Sequence, residues 1–219
     1  MTHILLINPN MSAATTAEMV AIANAVAPQG TEVTGATARR GPKMILKAEE
    51  LRAAVPEVID IGLAAAGGID GIIIGAFGDP GLAQLRRQVS VPVVGIAEAP
   101  MQEAAQSGRR FGIATTTPAL VEIIAAYAAR LGLADLYAGI RLTSGDPLDL
   151  VADPPLLADA LTEAARRLIE CDDAEAVVIG GGPLGKAAMA VAARFATPII
   201  APVPAAMRRL MSMVGEARS

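Results

Sequence analysis

The sequence predicts an α/β protein of two pseudo-symmetric lobes, each a parallel sheet flanked by helices. Three observations carry this reading. Short apolar runs alternate with Ala- and Leu-rich stretches at helical spacing. The order of runs repeats after about 105 residues, and the runs end in loops rich in Gly, Pro, Asn or Thr.

Ile4 to Ile7, Glu32 to Ala36, Ile72 to Ile74 and Val93 to Ile96 read as strands of the first lobe. Phe111 to Ala114, Tyr137 to Leu142, Val177 to Ile179 and Ile199 to Val203 repeat the set. Thr15 to Ala27, Ala48 to Ala66, Ala119 to Leu131 and Pro155 to Cys171 are the amphipathic stretches between them. Strands alternating with helices imply parallel sheets covered on both faces.

The repeat is visible residue by residue. Ile72-Ile73-Ile74-Gly75 answers Val177-Val178-Ile179-Gly180, and Val91-Pro92-Val93-Val94 answers Thr197-Pro198-Ile199-Ile200. Ile4 answers Phe111 in the same order, at a nearly equal offset. Such a period is too long for a solenoid, so it predicts two Rossmann-like lobes with an active cleft between them. The expected boundary lies near Ala97 to Gly108, giving residues 1–97 with 202–219 as one lobe and 98–201 as the other.

Composition narrows the function classes. With 2% aromatic residues and a net charge of -4, the chain lacks the stacking rings and basic face of a nucleic-acid binder. No apolar run reaches the roughly 18 residues of a membrane span, and Met1-Thr2-His3-Ile4 has no signal-peptide character, so the expected location is cytoplasmic. One cysteine, Cys171, and one histidine, His3, give neither an intramolecular disulfide nor a zinc cluster.

Cys171 is expected as a buried structural thiol, and His3, before the first strand, has no expected catalytic role. Gly180-Gly181-Gly182-Pro183-Leu184-Gly185 is not the dinucleotide G-x-G-x-x-G, and Gly185-Lys186 is followed by alanine rather than the Ser or Thr of a P-loop. No cofactor is expected; the partner is a small molecule. Ala-rich helix faces and methionines from Met207 to Met213 suggest a homo-oligomer.

In parallel sheets the loops after the strands gather at one edge. Asn8, Asn10 and Ser12 follow the first strand and offer side-chain donors or a helix cap. Thr115, Thr116 and Thr117 follow the equivalent strand of the second lobe, and capping explains one of them. Gly75 to Gly81 and Gly180 to Gly185 read as backbone cradles for an oxyanion or carboxylate, or as tight turns.

Ile7-Asn8-Pro9-Asn10, Gly41-Pro42, Phe77-Gly78-Asp79-Pro80-Gly81-Leu82 and Pro92-Val93-Val94-Gly95-Ile96-Ala97-Glu98-Ala99 together resemble the Asp/Glu/hydantoin racemase superfamily, its hydantoin and allantoin branch most closely. The resemblance covers nearly the whole chain. It implies a cofactor-independent isomerase with two cysteines, one per lobe, passing a proton across the substrate's α-carbon. This sequence departs from that pattern, with Ala76 and Gly181 at the positions where the resemblance sets the two cysteines.

Proton transfer then falls to another group. Asp79 is the candidate catalytic residue, as a general base or a positioner of water; the alternative is a cap for the helix near Pro80 to Leu82. Lys43 and Glu98 are candidate contacts for a substrate carboxylate or, alternatively, solvated surface charges. Ala76, Phe77, Gly78, Gly181, Gly182, Pro183 and Leu184 complete the expected substrate-binding set. Three functions fit: a non-thiol racemase acting on a hydantoin-like cyclic amide or α-substituted acid, a hydrolase opening such an amide with carboxylate-activated water, and an inactive metabolite-binding protein.

Overall fold

Fully buried apolar strands organise each half of the chain. The structure, a computed structural model, describes residues 1–217; Arg218 and Ser219, assigned by the sequence to the first lobe, lie outside the described residues. The chain divides into two compact units, residues 1–96 with 203–217 of those described, and residues 97–202.

The first unit runs β1 (Thr2–Asn8), α1 (Ala13–Val26), β2 (Thr31–Thr37), α2 (Ala48–Ala53), α3 (Val55–Ala65), β3 (Gly71–Ile74), α4 (Leu82–Arg86) and β4 (Val93–Gly95). Its sheet has the order β2-β1-β3-β4, every pair parallel. The second unit runs α5 (Glu98–Ala104), β5 (Phe111–Thr115), α6 (Val121–Arg130), β6 (Tyr137–Leu142), α7 (Pro147–Ala152), α8 (Pro154–Cys171), β7 (Ala176–Ile179), α9 (Gly185–Ala192) and β8 (Ile199–Ile200). Its order, β6-β5-β7-β8, repeats the first, again parallel throughout.

The alternation of side chains along each strand divides the apolar residues between the two sheet faces. Leu5, Ile7, Ile72 and Ile74 pack with Val58, Leu82 and Leu85 on one face of the first sheet. Val177 and Ile179 pack with Leu157, Leu161 and Leu168 of α8 in the second. The last helix, α10 (Pro202–Ala217), returns to the first unit, where Leu210 fills the space that a side chain at Gly71 would need.

Four sequence expectations are corrected here. The stretch Ala48 to Ala66 is two helices broken at Ala54, because Pro56 belongs in a first helical turn, where its missing N–H costs nothing. The strand expected over Ile199 to Val203 stops at Ile200, because Pro202 opens α10. Met207 is buried in the core, with Met211 and Met213 half-buried, so these methionines do not form an exposed oligomer face. Cys171 is exposed rather than buried, since it ends the last turn of α8. Among the described residues, no helix is long and apolar enough to cross a membrane.

Candidate functional site

Each sheet changes direction of winding between its two central strands, which leaves a crevice at their C-terminal ends. In the first unit the loops after β1 and β3 flank that point; in the second, those after β5 and β7 do. The junctions are built alike: Gly75 N–H donates to the Ile7 carbonyl at 2.8 Å, and Gly180 N–H donates to the Ala114 carbonyl at 2.8 Å.

Asn8, at the end of β1, is fully buried and ties its loop together. Its Nδ2 lies 3.0 Å from Asn10 Oδ1, 3.1 Å from the Ser12 carbonyl and 3.0 Å from Thr16 Oγ1, while its Oδ1 accepts from Asn10 N–H. Asn10 Oδ1 also accepts from Ser12 N–H at 2.9 Å. The Asn10 Nδ2 donor has no hydrogen-bond partner among the described residues, although the residue is 5% exposed. Asn10 is therefore the side chain of this loop with a donor left for a ligand, and Asn8 holds it in place.

Ser12 caps α1, accepting from Thr15 N–H, which assigns it the structural role of the two weighed for it. Thr16 and Thr37, unremarked in the sequence, complete the network through a 2.7 Å hydroxyl contact. No local motif marks such a pair, because the two sit on different elements. Met11 N–H donates to the Pro42 carbonyl at 2.9 Å, bringing the Gly41-Pro42-Lys43 loop against the Asn8 loop. Lys43 itself is exposed.

The loop after β3 is a tight turn, with Asp79 N–H donating to the Ala76 carbonyl at 3.0 Å. Gly78 at φ 114° and Asp79 at φ 51° make the turn possible, since glycine and aspartate tolerate positive φ best. The N–H groups of Ala76, Phe77 and Gly78 make no hydrogen bond to another described residue. They are three consecutive backbone donors just ahead of Asp79, of the kind that can receive negative charge on a ligand oxygen.

Asp79 is 5% exposed, and its carboxylate lies over Gly95 at the end of β4, in space that any side chain at position 95 would need. α4 begins after Gly81, which stands at its N-cap in the left-handed conformation that glycine adopts without strain. The sequence reading includes Gly95 only as part of a strand and of the family-like run; a glycine within a strand is the signal that marks a close approach.

In the second unit, Thr115 Oγ1 donates to the Gly180 carbonyl at 2.6 Å, joining the two loops of that sheet. Thr116 and Thr117 are 2% and 7% exposed, yet neither hydroxyl bonds another described residue, and the turn at Pro118 has no side-chain cap bond. Capping thus explains none of the three threonines. After β7, Gly181 and Gly182 likewise present N–H groups with no partner among the described residues, ahead of the turn Gly182–Leu184. Gly182 and Leu184 are buried and Pro183 is half-buried.

Glu98 is 6% exposed at the start of α5, which overturns the surface-charge expectation for it; the helix N-terminus favours a carboxylate there. Glu57, at the start of α3, accepts from Arg39 N–H and from Arg40 Nε, both at 2.9 Å. Those bonds, the Arg39 N–H foremost and the Arg40 guanidinium next, hold its carboxyl below the usual range. His3 pairs with Glu32 at 3.4 Å near the start of β1, at the opposite sheet edge from these loops. Among the described residues no three His, Cys, Asp or Glu side chains gather as a metal-binding group.

Comparison with known proteins adds independent findings. The Asp/Glu/Hydantoin racemase family model matches residues 4–210. A hydantoin racemase from Pseudomonas sp. (strain NS671) is 29% identical over 94% of this chain and 83% of its own. Allantoin racemase from Klebsiella pneumoniae superposes with a TM-score of 0.93 at 32% identity, covering 99% of this chain and 89% of that one. Allantoin racemase from Pseudomonas fluorescens superposes equally, with a TM-score of 0.93 at 29% identity over 99% and 92% of the two chains. With its two parallel sheets and these matches along nearly its whole length, the chain belongs to the Asp/Glu/hydantoin racemase family.

Proposed function

We propose that this racemase-family chain acts without a cofactor on a small molecule, a hydantoin-like cyclic amide or an α-substituted carboxylic acid, by proton transfer that uses no thiol. The likeness to hydantoin and allantoin racemases supports the substrate class. The observation that carries the mechanism is Asp79, a buried carboxylate at the β4 end, just after the donors Ala76–Gly78. The single cysteine, Cys171, ends α8 next to the start of β7, at the sheet edge remote from the loops, and so supplies no thiol to them.

In this reading the Asp79 carboxylate takes the α-proton. The electron pair left on carbon delocalises into the neighbouring carbonyl, and the N–H row receives the charge on oxygen. Water returns a proton to the opposite face, and Asp79 then releases its own. Asn10 Nδ2 is the donor that orients the ligand.

The same carboxylate beside N–H donors also suits water activation, which makes ring-opening hydrolysis the second reading. Proton NMR in D2O with hydantoins, allantoin and α-substituted acids separates them. Loss of the α-proton signal with no new species is the expected result. A ring-opened product replaces racemisation by hydrolysis, and ligand shifts without either change leave a metabolite-binding protein.

A further inference from the structure

We propose that Met11, with the segment Met44, Ile45 and Leu46, forms an apolar wall of the site that receives an alkyl substituent on the carbon losing its proton. The inference rests on the proposed function and names its substrates more closely: 5-alkyl hydantoins, rather than allantoin with its polar ureido group.

Backbone bonds and one close packing contact place this wall. Residues 38–47 join β2 to α2 without a helix or strand of their own. The segment starts against the Asn8 loop, since Ala38 N–H donates to the Asn8 carbonyl at 2.9 Å and the Pro42 carbonyl accepts from Met11 N–H. It ends against the donors that precede Asp79, because Leu51 of α2 fills the space that a side chain at Gly78 would need. Leu46 and Lys47 donate their N–H groups to Glu50 Oε2 at 2.7 Å and 3.0 Å, which folds the segment's end onto the first turn of α2. Met44, Ile45 and Leu46 thus lie on the short stretch of chain between the loop that carries Asn10 and the helix seated on Gly78.

Met11 is 44% exposed and directly follows Asn10, the side chain of its loop with a donor left for a ligand. Scattered apolar side chains are ordinary on a surface. This one stands next to a ligand donor, and Met44, Ile45 and Leu46 are all half-buried, with apolar surface still open. None of those three side chains offers a hydrogen-bond donor or a strong acceptor, and Lys43 before them offers donors alone. A ureido group laid here would leave its N–H groups without side-chain acceptors, at a cost in desolvation. An alkyl group needs no such partner and gains by leaving water. Methionine, unbranched and flexible, fits alkyl groups of several shapes.

Turnover of 5-methylhydantoin, 5-isobutylhydantoin and allantoin by the full chain tests this, read as α-proton exchange or ring opening, with circular dichroism confirming that each variant is folded. Where neither reaction occurs, dissociation constants from isothermal titration give the same comparison. kcat/KM for the isobutyl compound should exceed that for allantoin by at least about tenfold. Met11→Gln, at an exposed side chain, should lower kcat/KM for the isobutyl compound about tenfold, mostly through KM, and should lower that for the methyl compound less. Met11→Leu should keep the wild-type preference, and Ile45→Gln should act as Met11→Gln does. A loss at Met11→Gln that is equal for the isobutyl and methyl compounds overturns the inference and leaves the proposed function standing, as does a wild type that prefers allantoin. A wild type that neither turns over nor binds any of the three overturns the proposed function and the inference together.

Discussion

The Asp79 carboxylate occupies the space above Gly95 that a β-carbon would fill, so the loop after β3 and the end of β4 fix one another. Gly95→Ala should force the carboxylate out of place. Overpacking of this kind costs about 1–3 kcal/mol, read as a lower midpoint in urea unfolding. The same variant should lose α-proton exchange as fully as one lacking the carboxylate, because the group is displaced even though its chemistry is intact.

Thr115 and its neighbours should separate structural from ligand-facing hydroxyls. Thr115→Val leaves the buried Gly180 carbonyl without its donor and should cost about 1–3 kcal/mol of stability. Thr116→Val and Thr117→Val replace buried hydroxyls that bond no described residue by apolar groups of the same shape and should leave stability nearly unchanged or raise it. Isothermal titration with a bound hydantoin should show the reverse order, with the latter pair weakening binding more.

Glu57 sets an expectation for acid stability. Its folded-state carboxyl is held below the ordinary value of 4.5, first by Arg39 N–H and then by Arg40. A depressed carboxylate contributes stability that is present above its unfolded value and is lost as pH falls through the folded one. Between pH 6 and the onset of acid unfolding, Glu57→Gln should therefore lower stability above about pH 4.5 and flatten its decline below that. Denaturant midpoints measured across this range check the slope.

Gly181→Cys meets a crowded site. A β-carbon there would stand 2.9 Å from Leu184 Cγ, and Leu184 is buried. The substitution should cost about 1–3 kcal/mol in thermal unfolding. Ala76→Cys enlarges an existing β-carbon and should cost less. If the pair of cysteines alone created racemisation where the wild type has none, the proposed role of Asp79 would be wrong.

Much of the fold was legible in the residues because the buried strands announce themselves. Ile72 to Ile74 and Val177 to Val178-Ile179 are uninterrupted apolar runs, and both fall within central strands, β3 and β7, as expected. The lengths of other elements were not, since proline decides them locally: Pro56 divides one helix and Pro202 converts an expected strand end into α10. The candidate site was legible as a set of loops, but not in its division of labour. That Asn8 is consumed by its own loop while Asn10 keeps a donor, or that Glu98 is buried, depends on contacts no sequence spacing encodes.

The most direct test of Asp79 as the proton-transfer group is α-proton exchange in D2O by wild type and Asp79→Asn, side by side, on the hydantoin that exchanges fastest. The substitution keeps the shape of the side chain that lies over Gly95, so unfolding midpoints recorded on the same samples establish that the fold is retained. The account predicts exchange in the wild type and a loss of at least about a hundredfold in the variant, the scale of a missing general base. Exchange that persists in a folded Asp79→Asn variant would contradict it.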